Sequence, residues 1–183
     1  MYCKMLCDRL KLTYMKQNPN EKLPGDYVAG FIDGEGCFYL TYRSEIRYDR
    51  PGKPKYFRWT PYFAINIRAD DKEILEKIKD TLGCGNIYTL NRKEQWGSMV
   101  QYIIQNLDDL YAKVLPFFKK YPLRAKKRHD FELWSKALEI MHEKKKSKTR
   151  CTPEDHKKLS SIREEMRTYK SKMTRGYANS PKL

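Results

Sequence analysis

"YVAGFIDGEGCF" occupies residues 27–38, and the fold turns on where this stretch is divided. Residues 27–34 read as a helix, with Asp26 ahead of them as the expected N-cap. From Gly36 the period changes to two. Phe38, Leu40 and Tyr42 point one way; Tyr39, Thr41, Arg43, Glu45 and Arg47 point the other. That is a half-buried strand with a charged outer face. Glu35 stands at the junction, between Gly34 and Gly36. A carboxylate just past a helix C-terminus faces the negative end of the macrodipole, an unfavourable place for an anion. Its position calls for a chemical reason.

Outward from this junction the chain keeps alternating between the two periods. "YDRPGKPK" is a basic loop, and a second strand follows it. Phe57, Trp59, Phe63, Ile65 and Ile67 share one face of that strand; Arg58, Thr60, Tyr62, Ala64 and Asn66 share the other. Pro61 suggests an edge or a bulge there. "DDKEILEKIKDTLG" is an amphipathic helix striped by Ile74, Leu75, Ile78 and Leu82 and closed by Gly83. Residues 85–106 read as a hairpin turning near Gly97. A helical segment broken or bent at Pro116 comes next, then a long helix over 125–145. Thr152 caps a last helix, with Pro153 at its first position and Glu154 and Asp155 in its first turn. The order predicts an α+β αββαββα fold, one antiparallel sheet backed by helices on one face. Residues 1–23 form an N-terminal extension, 24–142 the core, and 143–183 a basic helical extension.

The 183 residues carry a net charge of +15, which points to a polyanionic partner. The basic residues are spread over strands, loops and helices rather than along one apolar-faced helix. Nucleic acid therefore fits better than a membrane surface. No apolar run approaches a membrane span, and the first residues show no signal-peptide pattern. This predicts an intracellular protein of unspecified compartment. Five cysteines without a CxxC pair predict reduced thiols, neither disulfides nor a zinc site.

The uncovered sheet face carries the partner prediction. On the first two strands it presents Tyr39, Thr41, Arg43, Glu45 and Arg47 beside Arg58, Thr60, Tyr62 and Asn66. The second hairpin adds Asn86, Tyr88, Arg92 and Gln101. Arginine, asparagine and glutamine are the residue types that read base edges, and a two-stranded ribbon fits a major groove. Lys144, Lys145 and Lys146 read as phosphate contacts in a polar turn between helices.

"VAGFIDGEG" at 28–36 resembles the signature of the LAGLIDADG homing endonucleases, with conservative departures at Val28, Phe31 and Gly34. "FAINIRADDKEILEKIKDTLGCGNIY" is similar to that family's second strand, following helix and third strand. "LPFFKKYPLRAKKRHDFELWSKALEIM" resembles its later helices, and "EKKKSKTRCTPEDHKKLSSIREEM" a C-terminal extension found in some members. The likeness covers roughly residues 24–176. It implies a site-specific, intron-encoded double-strand DNA endonuclease. An RNA maturase with intron RNA as partner, or a cleavage-inactive DNA-binding relative, is the alternative. Glu35 would be the catalytic, metal-binding acid, the Gly34 carbonyl a further ligand, and Asp33 mainly structural. Lys127 would approach the reacting phosphate, with Lys126 as the alternative register. The family's water-ordering glutamine falls at Ile67: Arg68, Asp70 or Asp71 takes that task, or the water network differs, or cleavage is impaired.

The resemblance also explains Glu35. Gly30 and Gly34 are small residues four apart, which lets two helix backbones approach closely. Two such helices side by side bring two Glu35 carboxylates together. Their repulsion is relieved by a hard cation, Mg²⁺ above all, with Mn²⁺ or Ca²⁺ able to take its place. One motif per chain predicts a homodimer joined through Ala29, Gly30, Asp33 and Gly34 on a long, roughly palindromic site. His129, His142 and His156 show no metal-ligand pattern, which disfavours GIY-YIG or HNH chemistry.

Overall fold

The computed structural model describes residues 22–90 and 98–178. Most of the expected N-terminal extension, Arg92 and the turn near Gly97 lie outside the described residues.

Helix α1 spans Gly25–Glu35, two residues longer at its start than the sequence reading. Pro24 is its N-cap residue; Asp26 is not the cap but a first-turn acid, where it meets the positive end of the dipole. Glu35 is the last helical residue. Gly36 donates its N–H to the Ile32 carbonyl and starts β1, Gly36–Ile46, without a connecting loop. A Cβ at Gly36 would stand 2.5 Å from the Ile32 side chain and 2.9 Å from its carbonyl oxygen. Only glycine lets the strand leave the helix so abruptly.

β1 pairs antiparallel with β2, Lys55–Arg68, in unbroken register from Gly36 opposite Ile65 to Ile46 opposite Lys55. Pro61 sits opposite Leu40 with no bulge. β2 outruns its other neighbour there, since pairing with β4 begins only at Phe63, so no ladder bond on that side needs a Pro61 N–H. A 3₁₀ turn leads into α2, Lys72–Leu82, which ends at Gly83 with φ +67°. β3, Asn86–Leu90, and β4, Met99–Ile104, complete an antiparallel sheet of order β1-β2-β4-β3. The helical stretch 107–120, α3, opens with one α-turn, passes through a π-helical turn at Leu110–Val114, and ends as the α-helix Leu115–Lys120. Pro116 lacks the N–H a regular ladder would use, and the π turn falls directly before it. α4 spans Lys127–Lys146 and α5 Pro153–Ala178.

The helices cover one sheet face, making the protein α+β as expected. Phe38 sits at the centre of the core, its ring 5.1–5.8 Å from those of Phe63, Phe118, Phe131 and Trp134. Trp134, fully buried, donates its indole N–H to the Tyr39 carbonyl at 3.1 Å, tying α4 to β1. The C-terminal extension belongs to this core, because Leu159 and Met166 of α5 are buried in the same cluster. Its start is a reciprocal cap. Asp155 accepts from the Thr152 N–H and hydroxyl at 2.7 Å each, while Thr152 Oγ1 accepts from the Asp155 N–H. Among the described residues Cys37, Cys84 and Cys151 are free thiols, and no helix is long and apolar enough to cross a membrane.

Candidate active site and nucleic-acid interface

Glu35 and Gly34 are exposed at the C-terminal end of α1. Lys127, the first residue of α4, donates its ammonium to the Gly34 carbonyl. The lysine of the expected pair that reaches this end is therefore Lys127; Lys126 is exposed one residue earlier. Asp33 makes the approach possible. Its Oδ2 accepts from the backbone N–H groups of Arg124 at 2.7 Å and Ala125 at 3.2 Å, fixing the segment that delivers Lys127. The other Asp33 oxygen is buried without a partner among the described residues.

Every described strand residue expected on the outward sheet face lies there, because the register keeps the parity intact across all four strands; Arg47 falls just past β1, in the hairpin loop. Tyr39 stacks on Tyr62 with ring centroids 4.5 Å apart, and the Arg43 guanidinium lies over Tyr62 at 5.5 Å. Burial, then a hydrogen bond with Cys37, pushes the Tyr39 phenol well above the usual tyrosine range. Thr41 Oγ1 donates to the Thr60 carbonyl at 3.1 Å. Glu45 accepts from the Tyr56 hydroxyl at 2.6 Å and from Arg58 Nε at 2.7 Å. These bonds, the Tyr56 hydroxyl first, lower the Glu45 carboxyl below its ordinary value. Two expected base readers, Glu45 and Arg58, thus hold each other in the free protein. Arg47 is exposed over Tyr56, and Asn86 and Tyr88 are exposed on β3.

Toward the Glu35 end, Gln101 donates to Asn66 Oδ1 at 2.8 Å. Ile67, expected in place of a water-ordering glutamine, is buried with its side chain on the core face. Residues able to meet water at this end of β2 are its neighbours Asn66 and Arg68. Arg68 is bound to Asp70, at 3.1 Å from Nη2, so these two candidates partly neutralise each other.

The exposed strip of α1 differs from the expected one in one residue. Ala29 is 4% exposed and packs into the core of its own chain. Gly30 and Gly34 are exposed, and a Cβ at either would meet nothing within 4 Å. Tyr27, half exposed, shares this strip and was missed by the sequence reading; its spacing of three from Gly30 was the available signal. The lysines expected in a polar turn instead form the last turn of α4. Lys144 pairs with Asp155 at 2.9 Å and Lys145 with Asp108 at 2.5 Å, which leaves Lys146 as the one of the three without an ion pair among the described residues.

The donors beside Glu35 suit a hard divalent cation. They are a carboxylate and a carbonyl oxygen at a helix C-terminus, and an ammonium group already rests on that carbonyl. Among the described residues no three His, Cys, Asp or Glu side chains gather to hold a metal.

Residues 28–138 match the LAGLIDADG endonuclease family model. Over 113 residues the chain is 31% identical to a probable intron-encoded DNA endonuclease 1 of Mycosarcoma maydis, covering 62% of this chain and 36% of that protein. Its structure is similar to the crystal structure of a homing endonuclease, I-TnaI, at TM-score 0.62 and 26% identity, covering 83% of this chain and 99% of that one. It is also similar to I-SmaMI bound to uncleaved DNA target in the presence of calcium ions. That likeness has TM-score 0.64 and 26% identity, over 81% of this chain and 47% of that one. The chain thus spans about a third of the length of the curated relative it matches.

Proposed function

The chain belongs to the LAGLIDADG endonuclease family, and from that premise we propose that it is an intron-encoded, site-specific double-strand DNA endonuclease acting inside the cell. Two copies pair through Tyr27, Gly30, Asp33 and Gly34 and present two sheets to two half-sites of one duplex. The observation that carries this reading is the meeting of Lys127 with the Gly34 carbonyl beside Glu35.

Glu35 and the Gly34 carbonyl would hold Mg²⁺, with Mn²⁺ or Ca²⁺ as substitutes. Bound there, the ion would lower the pKa of a water and offset charge building on the phosphate. The protein's own residues then place the substrate. Lys127 sits where it neutralises charge developing on the phosphate oxygens. Asp33 is a positioning residue, acting through the 124–125 backbone it holds. The Asn66–Gln101 amide pair and Arg68 face the same end of the groove and orient water or the sugar-phosphate chain. Arg43 and Arg58 read bases; substituting either relaxes preference at particular base pairs by roughly 1–3 kcal/mol.

The test uses the protein with a randomised duplex library and Mg²⁺, followed by sequencing of the cut ends. A recurrent, roughly palindromic cut site is expected. Glu35→Gln should slow cleavage of the recovered site by roughly 10²-fold or more while binding persists. A variant that still cuts within about tenfold of the parent, ~1.4 kcal/mol, would remove Glu35 from the centre of the reaction.

A further inference from the structure

At the outer end of the β1–β2 hairpin, a cavity of about 620 Å³ lies between the hairpin and the turn joining α4 to α5. Its wall takes Arg58 from the outward face of β2 and Trp59 from the core face, and no residue of β1. A cavity lined from both faces of one strand wraps around that strand's edge. This edge is free among the described residues, because β4 pairs with β2 only from Phe63 onward.

Four guanidinium groups line the cavity, and no carboxylate does: Arg58 of β2, Arg47 and Arg50 of the hairpin loop, and Arg150 of the α4–α5 turn. Arg58 and Arg47 have carboxylates outside it, Glu45 at 2.7 Å and Asp49 at 3.6 Å. Arg50 and Arg150 have none among the described residues. His156 adds another donor. Its Nδ1 accepts the Trp59 indole N–H at 3.0 Å, so the neutral ring carries its proton on Nε2. The lining is thus rich in donors and positive charge, brought together from segments far apart in sequence. Planar guanidinium forks match phosphate oxygens two at a time.

We infer that this cavity binds a backbone phosphate of the DNA duplex beyond each half-site, held by Arg50 and Arg150. The inference rests on the DNA-binding reading. Duplex is favoured over RNA because Tyr56 and Arg58 belong both to the cavity and to the outward row of the sheet. A duplex lying on that row continues into the cavity. The contact reads no bases; it lengthens the footprint and adds sequence-independent affinity.

The test compares two duplexes carrying the site recovered by library selection, one with long flanks and one trimmed to the cleavage core. The parent should bind the long duplex more tightly. In Arg50→Ala/Arg150→Ala the ratio of the two affinities should fall toward one, and the salt dependence on the long duplex should weaken by about 1 in log–log slope. Should the alanine variant lack the parent's thermal transition, Arg50→Lys/Arg150→Lys decides. It should keep the salt slope and still lose flank preference through loss of the forks. A parent that cuts both duplexes but shows no flank preference, or a variant that retains it, overturns the cavity assignment alone. A parent that binds neither duplex overturns the DNA reading, and this inference with it. If the substitutions weaken binding of single-stranded RNA and leave both duplex affinities unchanged, the cavity serves RNA and the inference fails.

Discussion

The two ends of the β1–β2 ribbon are built differently. At the inner end, around the Gly36–Ile65 rung, four strands stand side by side, and Phe38 and Phe63 are fully buried against α3 and α4. At the outer end, beyond Leu40 and Pro61, only two strands remain. There Tyr42 and Phe57 are 40% and 60% exposed. The outer end is fastened to α5 mainly through polar and ring contacts, the Trp59–His156 bond and the Tyr42–His156 ring pair. The inner end holds Glu35 and Lys127, whose proposed roles demand fixed geometry. The outer end carries the basic surface proposed to follow a long duplex. Burial is deeper at the end whose proposed chemistry needs rigidity.

Three changes test that contrast. The largest effect should come from Trp134→Ala, which empties the centre of the inner core and removes the bond to the Tyr39 carbonyl. A loss of roughly 3–5 kcal/mol is expected in denaturant unfolding. A loss below about 1 kcal/mol would mean that the inner end is not the rigid one. Next is Gly30→Leu. The single chain has open space there, so under dilute conditions where parent and variant are both monomeric the thermal midpoint should hardly move. The proposed homodimer should weaken by about a hundredfold or more, ~2.7 kcal/mol, and double-strand cutting should go with it. Light scattering that gives a monomer mass for the parent, free and on DNA, would refute the paired mechanism.

The smallest effect is acid loosening of the outer end. The Lys144 ammonium, then the backbone N–H and hydroxyl of Thr152, hold the Asp155 carboxyl well below the usual carboxylate range. The folded state therefore binds that proton less readily than the unfolded chain. The resulting stability is fully present above the ordinary carboxylate pKa, about 4, and fades as pH falls from there toward the lowered native value. Amide exchange at the start of α5 should accelerate in that acidic window before exchange in α4 near Trp134 does. Asp155→Asn should remove the pH dependence. Simultaneous loosening of both helices in acid would count against separate fastening.

Much of the inner end was legible in the sequence. Alternation over residues 36–46 and 57–67 assigned the outward residues of β1 and those of β2 from Arg58 on, because a strand's period of two leaves no third choice. The Thr152 cap was equally local, though the bonds that Asp155 returns to Thr152 were not read from the sequence. What escaped depended on partners distant in the chain. Lys145 looked like a free phosphate contact because Asp108, 37 residues away, was invisible to a local reading. Glu45 and Arg58 looked like independent base readers until strand register brought them together across the hairpin. Ile67 looked like a lost water-ordering residue, although its own strand parity already pointed it to the core. Asp33 could be read as structural, but not as the anchor of a segment more than ninety residues later.

The π turn at Leu110–Val114 has a consequence for how the chain can change length. A π turn holds one residue more than the α turn it replaces, yet the helix on either side keeps its facing. Before it, Asp108 reaches Lys145; within it, Tyr111 stacks on His142; after it, Leu115 and Phe118 enter the core. Deleting a single residue inside the turn would relax it to α-helix while both flanks stay where they are. The same deletion in α4 would turn everything downstream by about 100°, carrying Trp134 or the Lys144–Asp155 clasp out of place. The turn is thus a joint at which the chain can lose a residue without re-aiming its neighbours.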